Sequence, residues 1–151
     1  MNHRIEQKEA FQIIGWKRHM TCYSEIDGME IEWAENAMTK KVGEKYASHP
    51  KGDVWNIELP ASDVGATDGF VYVVGCIYNG TQNVDGYEIS HIPGGKYAVF
   101  PVPEEHIGDV GHFKGLIHEF FPTAGYQYAS VELEHVKGDN RKIEVSFLLG
   151  E

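Results

Sequence analysis

Two glutamates in a strand-like segment are the residues of this sequence best suited to acid–base or ion-pairing chemistry. Period-2 alternation across Ser130–Val136 places Glu132 and Glu134 on one face. The opposite face carries Val131, Leu133 and His135. On a solvent-facing strand, the two carboxylates would have no chemical role. On the floor of an aromatic groove, burial would raise the pKa of a carboxyl group, which would then serve as the counter-charge for a cation or as a general acid or base.

Aromatic residues that would line such a groove occur on several predicted elements. They are Trp33, Trp55, Tyr72, Phe120, Phe121, Tyr126 and Tyr128. Large aromatic residues also dominate the cores of small domains, so core packing is the alternative role for each of them. The aromatic residues that we assign to a ligand are Trp33, Trp55, Tyr72, Phe121 and Tyr128.

Other chemistries lack their motifs. His106, His112 and His118 are six residues apart. Six residues rotate a helix by about 600°, so successive imidazoles would point about 240° apart, and we expect no metal site. Pro93–Lys96 lacks the glycine spacing of a phosphate loop, and neither a dinucleotide-binding motif nor a Gly-x-Ser-x-Gly elbow occurs. The sequence therefore predicts no metal and no organic cofactor.

Charge and composition argue against several kinds of partner. The 151 residues include 13 lysines and arginines against 23 aspartates and glutamates, a formal charge of −10. This charge repels a phosphate backbone and favours cationic ligands, so we expect no direct nucleic-acid binding. No apolar run approaches the ~20 residues that span a bilayer, and no signal peptide is recognisable, so we expect a cytoplasmic protein without a membrane partner. Cys22 and Cys76 lack a Cys-x-x-Cys spacing and are interpreted as reduced, buried thiols.

The first half of the chain predicts a β-α-β-β order. Phe11–Cys22 is rich in β-branched and aromatic residues and predicts a strand. A helix is predicted from about residue 29 to about residue 46, where apolar residues recur at helical spacing after capping residues. Val54–Leu59 and Phe70–Tyr78 predict two further strands.

The second half predicts the same order. Its first strand is interpreted as Tyr87–Ile92 with a Pro-Gly-Gly turn or bulge and a continuation through Lys96–Val102. A helix opens at Pro103 and is stopped by Pro122 and Gly125. The last two predicted strands are Tyr128–Val136 and Lys142–Leu149.

Equivalent elements of the two halves are about 75 residues apart, which is half of the chain. We therefore predict one α+β domain over residues 1–151, with pseudo-repeats at about 1–78 and 87–149. The duplicated β-α-β-β modules are expected to form one curved antiparallel sheet with two helices and a central ligand groove.

Segments that carry a family resemblance are distributed over nearly the whole chain. They are Arg4–Glu6, Phe11–Gly15, Ile31–Trp33, Phe70–Gly75, Ile92–Phe100, Leu133–Glu134 and Gly138–Asp139. Together they resemble the GyrI-like family, the effector-binding domain of multidrug-responsive bacterial regulators. The Pro-Gly-Gly-Lys-Tyr-Ala-Val-Phe stretch that begins at Pro93 is the most specific part.

The resemblance implies two fused β-α-β-β modules with a groove between them. Such a groove binds lipophilic, flat aromatic and often cationic molecules, with a strand glutamate as counter-charge. Glu134 matches that glutamate through its spacing to Gly138–Asp139, and Glu132 on the same face is the alternative. The Glu-x-Tyr of the family is Glu134-His135-Val136 here, so the tyrosine is missing. The regulators carry an additional DNA-binding domain for which this chain has no residues, so the resemblance is to the stand-alone members.

Stand-alone members of the family differ in activity. Some bind drugs, some inhibit gyrase by protein contact, and one branch hydrolyses the cyclopropane ring of alkylating natural products. For hydrolysis, Glu134 or Glu132 would activate water, Tyr72 would donate to the conjugated carbonyl, and Trp33 and Trp55 would hold the flat substrate. We expect a cofactor-independent detoxification protein that sequesters or hydrolyses its ligand, with gyrase-type protein–protein inhibition as the alternative.

Overall fold

The computed structural model describes residues 3–21, 53–106, 110–137 and 142–150, and within them eight strands and one α-helix. The strands are β1 (Arg4–Lys8), β2 (Phe11–Met20), β3 (Val54–Pro60), β4 (Phe70–Ile77), β5 (Glu88–Ile92), β6 (Gly95–Pro101), β7 (Gln127–Val136) and β8 (Ile143–Gly150). The helix, α1, is Val110–Ala124, and two 3₁₀ turns occupy Ala61–Val64 and Glu104–His106. The first predicted helix, with Trp33 and the preceding Cys22, lies outside the described residues.

The eight strands form one antiparallel sheet in the order β1-β6-β8-β7-β3-β4-β2-β5. A curved antiparallel sheet in an α+β fold is what the sequence predicts, and this prediction is confirmed. Exchanging β1 to β4 with β5 to β8 gives the same order read backwards, so β7 and β3 are the central pair. A duplicated β-α-β-β unit would produce this symmetry, while the superposition of the two modules stays a prediction.

Two short connections force the sheet to curl. Glu9 and Ala10 link β1 to β2, and Pro93 and Gly94 link β5 to β6, yet each connection joins strands at opposite ends of the sheet. Two connecting residues span at most about 11 Å, so the two ends of the sheet lie close together. A Cβ on Gly94 would lie 2.7 Å from the backbone nitrogen of Ala10. The two connections therefore cross in contact, and glycine is the residue that fits.

The interpretation of Tyr87–Val102 as one interrupted strand is wrong. β5 pairs with β2 at one edge, whereas β6 lies between β1 and β8 at the other end of the sheet. The Pro93–Gly94 bend does not interrupt a single strand, because it carries the chain from one end of the curled sheet to the other.

The face of the curled sheet opposite α1 encloses the larger of the two main apolar clusters of the described residues. Its buried members come from six strands, and they include residues from both ends of the sheet. They are Ile13, Trp55, Ile57, Leu59, Val71, Val73, Ile92, Tyr97, Val99, Val131 and Leu133. Because Ile13 and Ile92 at one end meet Tyr97 and Val99 at the other, burial of this face stabilises the curl itself.

The opposite face carries α1, which packs on β6, β8 and the start of β7. The helix contributes Phe113, Leu116 and Phe120, which meet Phe100 and Phe147 of the sheet. Pro122 does not stop the helix as predicted, because it lies within the last turn, and Gly125 follows the helix with a φ of 77°. Within the described residues, no helix is long and apolar enough to cross a membrane.

Candidate functional site

A row of polar side chains crosses the middle of the sheet on the face that carries α1. Glu132 of β7 pairs with Phe147 of β8 on one side and with Glu58 of β3 on the other. Glu58 in turn pairs with Tyr72 of β4. Directly cross-strand residues share a face, and Phe147 contacts the helix, so all four side chains lie on the helix side.

A second row lies one step along the same strands. Glu134 pairs with Asn56 of β3 and with Val145 of β8, which is part of the cluster under the helix. Glu132 and Glu134 therefore share a face, and Val131 and Leu133 lie in the core on the other face, as the alternation predicts. The central strand pair thus presents three carboxyl groups, those of Glu58, Glu132 and Glu134, and the amide of Asn56 on the face that carries α1.

Glu58 and Glu132 form a buried carboxyl pair. Their side chains are hydrogen-bonded to each other, and the residues are 9% and 8% exposed. Burial and the adjacent charge of Glu58 raise the pKa of Glu132 well above its ordinary value. Two hydrogen-bonded carboxyl groups cannot both ionise at low cost, so the pair keeps a proton to a higher pH than an exposed glutamate does.

One oxygen of the pair lacks a hydrogen bond. Among the described residues, Oε1 of Glu132 is buried without a donor or acceptor partner. A buried oxygen of this kind costs free energy, which a ligand or water placed beside it would lower.

A lysine on α1 reaches toward the carboxyl pair. The Nζ of Lys114 lies 3.7 Å from Oε2 of Glu58, and the lysine side chain is 33% exposed. The positive charge of Lys114 opposes the increase in the pKa of Glu132. The carboxyl pair is therefore in contact with a cation that the protein itself supplies.

A cleft of about 690 Å³ opens where Lys114 and Glu58 meet. It lies between α1, the ends of β3 and β4 and the connection between these two strands. Its lining is Thr21, Glu58, Leu59, Pro60, Ala61, Ser62, Ala66, Thr67, Gly69, Phe70, Lys114, Tyr128 and Ser130. The volume is in the range of small-molecule sites, and two aromatic rings face two opposite charges there.

Three of the five aromatic residues assigned to the ligand lie on the face of the sheet that carries α1. Tyr128 lines the cleft, and Phe121 packs against it with ring centroids 5.3 Å apart. Tyr72 is buried beside Glu58 on the sheet, in contact with Met20 and Val74. Trp33 lies outside the described residues.

The structure does not place Trp55 with the glutamates. Its side chain is 7% exposed and belongs to the core of the opposite face, where its ring stacks on His135 with centroids 4.0 Å apart. Phe11 packs on the same ring. The physical reason is the parity of β3, in which Trp55, Ile57 and Leu59 alternate with Asn56 and Glu58.

Two charged residues of this site, Glu58 and Lys114, are not among those that the sequence predicts. A signal for Glu58 was present, because Asn56 and Glu58 occupy alternate positions of β3 in the manner of Glu132 and Glu134. Lys114 follows Phe113 and precedes Leu116, which are buried positions of α1. Its direction toward Glu58 depends on how the helix crosses the sheet, which the sequence does not show.

The histidines do not follow the predicted helical geometry. His106 lies in a 3₁₀ turn before α1, and its ring stacks on that of His112 with centroids 4.0 Å apart. The expectation that these two imidazoles point apart is wrong, because it assumed a continuous helix from Pro103. Within the described part of the chain, no cluster of three histidine, cysteine, aspartate or glutamate side chains is arranged to hold a metal ion.

Comparison with known proteins identifies the family. The family model for Cass2, the integron-associated effector-binding protein, matches residues 4–148. The chain belongs to this family. The expected effector-binding, GyrI-like nature of the domain is thereby confirmed. No curated protein matches the chain in sequence.

Solved structures with a similar fold include two with TM-scores above 0.7. A putative bacterial transcription regulation protein from Staphylococcus aureus MU50 has a TM-score of 0.73 and 14% identity, covering 100% of this chain and 99% of that one. SAV2435 bound to tetraphenylphosphonium has a TM-score of 0.74 and 14% identity, covering 99% and 94%. An integron cassette protein from the mobile metagenome of Vibrio cholerae has a TM-score of 0.62 and 15% identity, covering 97% and 95%. At these identities the likeness shows the fold.

Proposed function

We propose that this protein binds lipophilic, flat aromatic cations in the cleft between α1 and the β3–β4 connection. The observation that carries the proposal is the buried Glu58–Glu132 pair beside that cleft, with Glu134 one step away on the same face. A ligand cation beside these carboxyl groups would stabilise charge that is costly to bury. Membership of an effector-binding family supports the binding of a small molecule, and the tetraphenylphosphonium bound to SAV2435 supports a lipophilic aromatic cation, although its four rings are arranged tetrahedrally and not in a plane.

The proposed division of roles follows the two rows of side chains. The Glu58–Glu132 pair supplies one negative charge at the cleft, and Glu134, which matches the glutamate of the GyrI-like pattern, supplies the second. Tyr128 and Phe70 lie where an aromatic ligand would stack, and Phe121 supports the Tyr128 ring.

The test compares a cation with a neutral molecule of nearly the same shape, 10-methylacridinium with 10-methylacridone. Glu134→Gln should weaken binding of the cation by about 1–3 kcal/mol, because a partly desolvated charge pair is lost, and should leave the neutral ring system unchanged. Fluorescence titration measures both affinities. Equal losses for the two compounds would mean that the glutamate acts through packing, and the counter-charge role would be rejected.

The carboxyl pair calls for a different comparison. A pair that shares one proton carries one negative charge, and so does the single ionised carboxyl that remains in Glu58→Gln or Glu132→Gln. Each single variant should therefore bind the cation with an affinity within severalfold of the wild type. The double variant has no charge in the pair and should lose about tenfold or more in affinity for the cation alone. A double variant with wild-type affinity would place the cation elsewhere.

The same carboxyl pair favours a second candidate function, the hydrolysis of cyclopropane-containing alkylating agents as a detoxification step. Burial and the charge of Glu58 raise the pKa of Glu132, which favours one protonated and one ionised carboxyl in the pair, and general acid and general base catalysis require that arrangement. The ionised carboxyl would take a proton from water while the oxygen of that water bonds to the ring carbon. The ring bond would break with its electrons delocalised toward the conjugated carbonyl, where Tyr72 or the protonated carboxyl would donate.

Mass spectrometry distinguishes hydrolysis from sequestration. If the protein is a hydrolase, incubation with a cyclopropane-containing alkylator gives a product heavier by one water. Glu134→Gln or Glu132→Gln should then lower turnover by about 10² or more, while the affinity for a neutral cyclopropane-containing compound changes only severalfold. Tight binding of an alkylator that stays chemically unchanged over many hours would reject hydrolysis and leave sequestration as the function.

A further inference from the structure

The cleft contains a positive charge of its own, and this charge has a consequence for any cationic ligand. Lys114 projects from α1, and its Nζ lies 3.7 Å from Oε2 of Glu58. Both residues line the same cleft. A ligand cation that approaches Glu58 from the cleft therefore meets a carboxylate that already has a counter-ion.

We propose that Lys114 is the resident counter-ion of the carboxyl cluster, and that a ligand cation must displace its ammonium group to bind. This inference rests on the proposed function of the cleft. It makes Lys114 a specificity-determining residue. Neutral aromatic molecules do not compete with the ammonium group for Glu58, and cations that bind Glu58 more weakly than Lys114 does are excluded.

The structure supports displacement of Lys114 over a fixed role for three reasons. The lysine side chain is one-third exposed, so its long stem has room to swing into solvent. The distance of 3.7 Å is that of an ion pair without a short hydrogen bond, and such a pair with a partly exposed lysine is weak. The carboxyl groups on this face outnumber this one ammonium, so the site remains attractive to a second cation.

The charged and titratable groups that face the carboxyl pair come from four of the described elements around it. β3 contributes Glu58, β7 contributes Glu132 and Glu134, and α1 contributes Lys114. β4 adds the phenol of Tyr72, whereas the facing β8 residues, Val145 and Phe147, are apolar. Lys114 is thus the cation that these elements bring to the pair.

Lys114→Met tests the proposal, with Lys114→Arg as the charge-conserving variant. At a pH where the carboxylates are ionised, Lys114→Met should bind 10-methylacridinium about fivefold to tenfold more tightly, since a like charge near the ligand is removed. Affinity for 10-methylacridone should not change, and Lys114→Arg should resemble the wild type. Lys96→Met removes one positive charge from an exposed position of β6 outside the cleft lining and should leave both affinities unchanged.

A second measurement needs no ligand. Carbon-13 NMR of labelled glutamate carboxyls reports the protonation midpoint of the buried pair, which Lys114→Met should shift upward, because Lys114 favours the ionised form. An unchanged midpoint, or unchanged or weakened binding of 10-methylacridinium to Lys114→Met, would overturn the proposal. If neither variant nor wild type binds the cation while the midpoint shifts, the proposed function fails and the counter-ion assignment stands.

Discussion

Replacement of Glu132 by glutamine should stabilise the folded protein at about pH 8 and have little effect at about pH 3, where the carboxyl is protonated in both the folded and the unfolded state. In the folded chain, burial and the charge of Glu58 raise the pKa of Glu132. In the unfolded chain, a glutamate ionises near its ordinary pKa of about 4.3. Between these two pKa values the folded state binds more protons, so the wild-type stability falls as the pH rises toward the folded-state pKa. Glutamine resembles the protonated acid in shape and has no such proton to lose.

The expected size of the effect follows from burial. Glu132 is 8% exposed and lies directly opposite a second buried carboxyl. Each unit of difference between folded-state and unfolded-state pKa corresponds to about 1.4 kcal/mol. Replacement of buried charged groups by neutral residues of similar volume is often neutral or stabilises proteins by up to about 4 kcal/mol, and we expect a gain of about 1–3 kcal/mol in the free energy of unfolding at the higher pH.

Urea unfolding at several pH values measures this gain directly. The matched control is Glu119→Gln, which makes the same chemical change at an exposed position of α1. The control should parallel the wild type at every pH. An equal gain for Glu132→Gln at low and high pH, or a loss at high pH, would refute the assignment of a shared proton to the Glu58–Glu132 pair.

Three further predictions concern the scaffold. Gly94→Ala should destabilise the fold by about 1–3 kcal/mol in urea unfolding, because its Cβ would meet the crossing backbone, whereas Gly115→Ala, with open space in α1, should stabilise it by about 0.5–1 kcal/mol. Arg4 holds the pKa of Glu144 at about 2, so Arg4→Met should cost about 0.5–1 kcal/mol near neutral pH. That cost should vanish as the pH falls from about 4.5 through 2, since protonation of Glu144 removes the same pair in the wild type. Trp55→Ala should cost about 3–5 kcal/mol in unfolding free energy, and if the variant folds, its ratio of cation to neutral-ligand affinity should stay that of the wild type. An altered ratio would place Trp55 at the ligand.

Most of the sheet was predictable from alternation. The strands rich in β-branched and aromatic residues, from Phe11, Val54, Phe70 and Lys142 onward, were found within one or two residues, because half-buried strands repeat with a period of two. β1 was missed, because Arg4–Lys8 is polar and lies at the sheet edge, where pairing with β6 determines its conformation. The crossing at Pro93–Gly94 was not predicted either. A Pro-Gly-Gly sequence is typical both of a bulge within one strand and of a connection between two strands, and only the pairing of the strands distinguishes them.

The sequence predicts two of the four charged residues of the candidate site. Glu132 and Glu134 were found from the alternation of one strand, but the register of β7 against β3 decides that Glu58 faces Glu132. The assignment of Trp55 to the groove conflicts with the alternation of β3, which places Trp55 and Glu58 on opposite faces of the sheet. Lys114 depends on the packing of α1 across the sheet, and no local pattern of the sequence contains that information.

The most direct test of cation binding in this cleft is a crystal structure of the protein with tetraphenylphosphonium. We predict that the phosphonium centre lies in the cleft beside Glu58, that phenyl rings pack against Tyr128 and Phe70, and that the ammonium of Lys114 has moved away from the carboxylate. A phosphonium bound on the outer surface, for example in the cleft that Lys17 and His91 line between β2 and β5, would contradict it. So would a phosphonium in the cleft with the Lys114–Glu58 contact intact and no carboxylate beside the cation.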